Sequence, residues 1–190
     1  MKYIAPSWES IFSQSVKLAA KLEAAKGDFD CIVGVSRGGL VLTRLISDLL
    51  EIQDVMITRS EYYTDVGKRK ERPEITQPIH GKISGRRVLL LDDVADTGES
   101  LIEIMRYLKS KRPKELTVAT LYIKPWSKVL PDYFVSKTDA WIIFPWERLE
   151  AIRSLAKNGT KDFMKTGLPK RVIRKVLEFQ ERKAKARSLK

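Results

Sequence analysis

Val88-Leu89-Leu90-Leu91-Asp92-Asp93-Val94-Ala95-Asp96-Thr97-Gly98-Glu99-Ser100-Leu101 is the stretch on which the reading of this chain turns. An apolar run suited to a buried strand ends in two adjacent carboxylates. Two residues later a small polar turn opens a segment of helical spacing, from Glu99 to about Lys111. The carboxyl ends of parallel strands line the ligand crevice of an α/β sheet. Paired carboxylates at such a place can accept hydrogen bonds from a vicinal diol. The turn from Asp96 to Ser100 presents backbone N–H groups and the Thr97 and Ser100 hydroxyls at a helix N-terminus, which suits a phosphate dianion. Gly98 lets the backbone approach such an anion closely. An N-cap after an ordinary strand needs one polar residue and leaves Asp92 and Asp93 unexplained.

Outward from this stretch, the pattern alternates strand and helix. Ser7 to Ala25 predicts an amphipathic helix after Pro6, with Ile11, Phe12, Val16, Leu18, Ala19 and Leu22 on one broad face. Phe29 to Val35 predicts a buried strand, Leu40 to Leu50 a helix, and Val55 to Thr58 another strand. Glu61 to Gly81 is poor in apolar residues and carries Pro73, Pro78 and Gly81, so it predicts a long mobile segment. Arg87 to Val94 and Leu116 to Ile123 predict strands, Trp141 to Phe144 a last short one, and Glu147 to Lys157 a helix. This order implies a mainly parallel sheet with helices on both faces.

The chain has 190 residues, 43% of them hydrophobic, which excludes a disordered chain and allows one domain with a sizeable core. One Cys excludes an internal disulfide and a cysteine-based zinc site, and one His makes a Ser-His-Asp triad a poor reading. Cys31 lies in an apolar strand and reads as a small core residue. His80, beside Gly81, reads as a turn or packing residue. No apolar run is long enough to span a membrane, and Pro6 and Glu9 interrupt the place where a signal peptide needs its apolar stretch, so a cytoplasmic location is expected. The net charge is +12, and residues 165–190 alone contribute +8 of it. That tail also has Val172, Ile173, Val176 and Leu177 at helical spacing. It predicts a terminal helix docked by this stripe, its basic face either solvated or offered to RNA or DNA.

Three further motifs sit at the ends of apolar runs. Val33-Gly34-Val35-Ser36-Arg37-Gly38-Gly39-Leu40 places a Gly-Gly pair beside Arg, a combination that can wrap a pyrophosphate. Leu121-Tyr122-Ile123-Lys124-Pro125-Trp126 places at a strand end a Lys that can donate to a carbonyl oxygen. Trp141-Ile142-Ile143-Phe144-Pro145-Trp146-Glu147 supplies a flat indole for stacking, although a Trp in isolation more often packs in a core or an interface.

The stretch from Val88 to Ser100 resembles the 5-phosphoribosyl-1-pyrophosphate (PRPP) motif of type I phosphoribosyltransferases. The Lys124 and Trp141 segments, with Lys2 to Ile4 and Pro6 to Trp8, resemble the short 6-oxopurine branch, the xanthine-guanine and hypoxanthine-guanine enzymes and their archaeal relatives. The resemblance runs from about Lys2 to Trp146. It implies the type I phosphoribosyltransferase fold, a central mainly parallel sheet flanked by helices with a small hood region and, here, a basic C-terminal helix. It sets the transferase domain at residues 1–158 and the extension at 159–190.

The resemblance also implies the roles. Asp92 and Asp93 bind the PRPP ribose, directly or through Mg²⁺. Asp96, Thr97, Gly98, Glu99 and Ser100 hold the 5′-phosphate, and Asp96 is the candidate general acid/base near purine N7. Ser36, Arg37 and Gly38 hold the pyrophosphate, joined by Lys68 and Arg69 from a loop that closes over the site. A cis Ser36–Arg37 peptide is implied. Lys124 contacts purine O6, Trp141 stacks on the base, and the Ile142 backbone reads its edge. Trp126 and Trp146 read as packing residues. Glu147 stands where many relatives have Asp, and with Asp92 and Asp93 it is a candidate magnesium ligand. The usual Ser-Tyr pair is here Tyr62-Tyr63, followed by Lys68-Arg69-Lys70. The implied reaction is purine salvage from PRPP and a 6-oxopurine, by a homodimer or homotetramer. The alternatives are a transferase for another base, such as orotate or uracil, and a PRPP-fold regulator that binds RNA or DNA.

Overall fold

The computed structural model describes residues 2–25, 27–62, 64–65, 68–69, 73–157 and 163–188. Tyr63, Lys70 and the expected boundary at residue 158 lie outside the described residues, as do the side chains of Lys68 and Arg69. In chain order the elements are β1 Tyr3–Ile4, α1 Trp8–Ala24, β2 Cys31–Val35, α2 Gly39–Leu49, β3 Val55–Glu61, β4 Thr64–Asp65, β5 Lys68–Arg69, β6 Glu74–Gln77, β7 Arg87–Ala95, α3 Glu99–Ser110, β8 Glu115–Ile123, β9 Tyr133–Lys137, β10 Trp141–Ile142, α4 Arg148–Lys157, a 3₁₀ turn Phe163–Thr166 and α5 Lys170–Ser188. They fall into two compact units, Phe12–Thr138 on the one hand and Met1–Ile11 with Asp139–Lys190 on the other.

The larger unit is built on a six-stranded sheet in the order β6-β3-β2-β7-β8-β9. All its pairings are parallel except β3 with β6 at one edge. All five residues of β2 are buried, and β7 is buried over most of its length, as expected of central strands covered on both faces. Successive strand residues point to opposite faces. Val33, Val88 and Leu90 join Leu101, Ile104 and Leu108 of α3 in one core cluster. Those α3 positions are three and four residues apart, which keeps them on one helix face. α2 packs against β2 and β7, burying Leu42 and Ile46.

The smaller unit pairs β1 with β10 in parallel, Tyr3 opposite Trp141 and Ile4 opposite Ile142. Its core joins Ile143, Ile152, Leu168 and Ile173, with Tyr3, Ala5, Val176 and Leu177 packed on them. Ile173, Val176 and Leu177 therefore dock α5, as the stripe in the tail predicts. Val172 stays outside that cluster.

Four local expectations need correction. The segment from Glu61 to Gly81, where no strand is expected, contains β4, β5 and β6. β6 escaped notice because an edge strand can be polar, and Pro73 and Pro78 flank it rather than interrupt it. β9 is a second edge strand that the sequence reading left out, although its Tyr133-Phe134-Val135 start favours a strand. The strand expected over Trp141 to Phe144 has two residues and belongs to the small sheet, not the main one. On α1 the buried positions are Ile11, Ser15, Leu18, Ala19 and Leu22, whereas Phe12 is 50% exposed and Val16 41%. Ser15 completes the 11-15-18-22 face, so Phe12 and Val16 are rotated off it with Trp8.

Candidate active site

Three neighbouring parallel strands deliver the candidate residues of the larger unit. β7 lies between β2 and β8, with Gly34 opposite Leu91 and Ala95 opposite Ile123. The turn after β2 therefore falls beside Asp92 and Asp93, and the residue after β8 falls beside Asp96.

On the β2 side, Ser36, Arg37 and Gly38 form the turn into α2, and the Ser36–Arg37 peptide is cis. The Ser36 amide donates to the Thr58 carbonyl at 2.8 Å, tying the turn to β3. A Cβ added to Gly38 would fall 2.7 Å from Asp93 Cγ, with the carboxylate Oδ2 closer still. Only hydrogen fits there. Asp93 is 5% exposed, and its amide donates to Asp92 Oδ1 at 3.0 Å. The acid pair and the pyrophosphate turn of the sequence reading are thus in contact.

Ala95 ends β7, and residues 96–98 bend into α3. Gly98 has φ +80°, the left-handed conformation in which glycine carries no side-chain penalty. A Cβ there would also lie 2.9 Å from the Val129 amide nitrogen. The glycine thus has a structural reason beyond the approach of an anion. The first amides of α3 lack partners within the helix, as at any helix start, and the dipole favours an anion there. Thr97 Oγ1 accepts from the Glu99 amide at 3.4 Å. The Glu99 carboxylate pairs with Lys128 at 2.7 Å, so its side chain is engaged and its backbone is the part suited to a phosphate.

On the β8 side, the Lys124 amide donates to the Ala95 carbonyl at 2.9 Å, which fixes Lys124 next to Asp96. Lys124 is 6% exposed, a rare state for a lysine outside a polar site. Its ammonium lies 5.5 Å from the centre of the Trp126 ring. Trp126 Nε1 donates to Asp96 Oδ1 at 2.9 Å. Reading Trp126 as a packing residue was wrong: it is 53% exposed and bonded to a candidate catalytic carboxylate. The indole N–H was the missed signal, since an exposed Trp next to a strand end has a donor to place.

The remaining candidates lie in the smaller unit. Trp141 is 51% exposed, which sets aside a core role, and Ile142 is buried in β10. Glu147 sits in the turn before α4, its amide donating to the Phe144 carbonyl at 3.0 Å. Trp146 packs as expected, stacked on Phe144 with ring centres 4.8 Å apart.

The donor set bears on magnesium. Among the described residues no group of three or more His, Cys, Asp or Glu side chains could hold a metal alone. Asp92 and Asp93 do fit an ion that takes one or two carboxylates and completes its shell with substrate phosphates and water. A depression of about 650 Å³ lies elsewhere, at the opposite ends of β2 and β7, lined by Asp28, Asp30, Asp54 and Arg87 among others. Its three aspartates hold structure together: Arg87 pairs with Asp28 at 3.2 Å, Arg86 pairs with Asp54 at 2.6 Å, and Asp30 accepts from the Arg87 amide at 2.6 Å.

The model of the phosphoribosyl transferase domain matches residues 7–149. The xanthine-guanine phosphoribosyltransferase of Idiomarina loihiensis is 32% identical over 79% of this chain and 91% of its own length. That of Desulfotalea psychrophila is 34% identical over 74% and 84%. Among solved structures, the purine phosphoribosyltransferase from Pyrococcus horikoshii is 38% identical, with a TM-score of 0.69 over 77% of this chain and 94% of that one. The Helicobacter pylori xanthine-guanine-hypoxanthine enzyme is 26% identical, with a TM-score of 0.69 over 80% and 99%. No helix among the described residues is long and apolar enough to cross a membrane.

Proposed function

Because the chain belongs to the phosphoribosyl transferase domain family, we propose that it transfers the 5-phosphoribosyl group of PRPP to N9 of a 6-oxopurine. The acceptor is guanine, hypoxanthine or xanthine, and the products are the nucleoside 5′-monophosphate and pyrophosphate. The observation that carries this reading is the meeting of three strand ends: the Ser36–Gly38 turn against Asp93, and Asp96 beside a buried Lys124.

In the reaction the bond from C1′ to the pyrophosphate oxygen breaks and the bond from C1′ to N9 forms. Positive charge builds on the sugar and negative charge on the leaving group. Arg37 and the amides of the Gly38–Gly39 turn stabilise the pyrophosphate as it departs. Asp92 and Asp93 hold the ribose diol. Asp92 and Asp93 would also hold magnesium together with PRPP, and the ion would supply positive charge against the pyrophosphate. Thr97, Ser100 and the backbone at Gly98 and Glu99 anchor the 5′-phosphate. Lys124 donates to O6, which orients the base, and Asp96 takes the proton from N7 as N9 is alkylated. The family resemblance further assigns stacking on the base to Trp141, reading of the base edge to the Ile142 backbone, pyrophosphate contacts to Lys68 and Arg69, and a magnesium ligand to Glu147. We place the reaction in the cytoplasm and expect a homodimer or homotetramer.

The test is to incubate the protein with PRPP, Mg²⁺ and each of guanine, hypoxanthine, xanthine, adenine, orotate and uracil, following pyrophosphate release. Release should require a 6-oxopurine. Turnover confined to orotate or uracil would move the enzyme to another branch. One observation supports a second reading: Lys170, Arg171, Arg174, Lys175, Arg182 and Lys183 are all exposed on α5. No turnover with any base, together with salt-sensitive binding to RNA or DNA, would favour a regulator.

Lys124→Ala tests the base pocket. A hydrogen bond from a charged donor contributes about 1.5–3 kcal/mol. The KM for the purine should therefore rise by roughly tenfold or more, while the KM for PRPP stays within about twofold. Equal losses for both substrates would remove Lys124 from O6.

A further inference from the structure

Trp126 closes the Lys124 segment without a part of its own in the reaction, yet it touches two of the residues that have one. Its indole N–H is on Asp96 Oδ1 at 2.9 Å, and its ring lies under the Lys124 ammonium at 5.5 Å. We propose that Trp126 is a positioning residue for phosphoribosyl transfer, in which the indole N–H orients the Asp96 carboxylate and the ring steadies the Lys124 ammonium. The inference rests on the reading of Asp96 as acid/base and of Lys124 as the O6 donor.

The local geometry explains why such a residue is needed. Asp96 is exposed and stands at the start of a bend, so burial does not hold its carboxylate in one orientation. A proton transfer needs it at hydrogen-bond distance from one nitrogen, in one orientation. A single N–H on Oδ1 restricts the carboxylate's rotation and leaves Oδ2 for the base. The donor is itself well placed. Trp126 is two residues beyond Lys124, whose amide is bonded to the end of β7, and the Ser127 amide donates back to the Lys124 carbonyl at 3.1 Å. That tight turn aims the indole at Asp96. The Lys128 amide donates to the Thr97 carbonyl at 3.0 Å, so the same turn is tied to the phosphate loop on its far side. A cation within about 6 Å of an indole ring is attracted to it, more strongly when shielded from water, and Lys124 is shielded.

The two contacts predict separable defects. Trp126→Phe keeps a ring beside Lys124 and removes the N–H. It should lower kcat by about tenfold, the scale of a hydrogen bond to a charged group, and leave the KM for PRPP and for the purine within about twofold. Trp126→Leu removes both contacts and should show the same fall in kcat with a several-fold rise in the purine KM. Trp126 is half exposed, so neither change should disturb folding, and a melting curve checks that.

A double-mutant cycle with Asp96→Asn decides whether Trp126 acts through Asp96. The effect of Trp126→Phe on kcat should vanish once Asp96 can no longer take a proton. An equal tenfold fall in both backgrounds would make Trp126 merely structural and overturn the proposal, as would wild-type kcat in Trp126→Phe. Unchanged kcat in Asp96→Asn alone would instead remove the acid/base reading itself, and the positioning role with it.

Discussion

Asp96→Asn should lower kcat by roughly 10²–10⁴-fold, the usual contribution of a positioned general acid or base. The substitution is nearly isosteric. The Asn side-chain oxygen can still accept the Trp126 indole N–H, so the bend between β7 and α3 should keep its shape. What is lost is a group able to take a proton from N7 while N9 forms its bond. The KM for PRPP and for the purine should move only a few-fold, because neither Lys124 nor the Ser36–Gly38 turn is touched. Steady-state kinetics with guanine as acceptor measures this directly. Turnover equal to wild type would eliminate Asp96 as the acid/base and leave the reaction to electrostatics alone.

The second large effect is expected from one methyl group. A Cβ on Gly38 would stand 2.7 Å from Asp93 Cγ, and Asp93 is too buried to swing into solvent. Gly38→Ala must either push Asp93 out of line or move the turn that carries Arg37. Both routes damage PRPP binding, so kcat/KM for PRPP should fall by at least about 100-fold by the transition-state arithmetic for an ångström-scale misplacement. The fold should survive, because overpacking one site costs about 1–3 kcal/mol. For a chain of this size the melting temperature should drop by roughly 2–12 °C. A wild-type KM for PRPP in Gly38→Ala would show that the turn and the acid pair are not one site.

Much of the larger unit was legible in the residues. Central strands such as β2 and β7 are buried on both faces, so they read as unbroken apolar runs, and their ends are marked by the Arg-Gly-Gly and Asp-Asp motifs. Edge strands carry no such mark. β6 reads Glu-Ile-Thr-Gln, a sequence that a solvated segment could equally have, and it is a strand only because β3 offers it a free edge. The site was legible where a motif stands whole within one strand and its turn. It was not legible where two strand ends meet. No spacing rule places Trp126 on Asp96, 30 residues away, because that contact depends on the register of β8 against β7. The α1 face was misread for a related reason. Ser15 is polar and does not enter an apolar pattern, but it is fully buried, and counting it inside rotates the helix enough to expose Phe12.

The lone thiol offers a use unconnected with catalysis. Cys31 opens β2 and is fully buried, and burial raises its pKa above the ordinary thiol value, so little thiolate is present at neutral pH. Any alkylating reagent must wait for the sheet to part. With no other cysteine in the chain, the labelling rate is a direct clock for that opening. β2 ends in the turn proposed to hold pyrophosphate. A slower clock with PRPP bound would register, at one end of a strand, an occupant at the other.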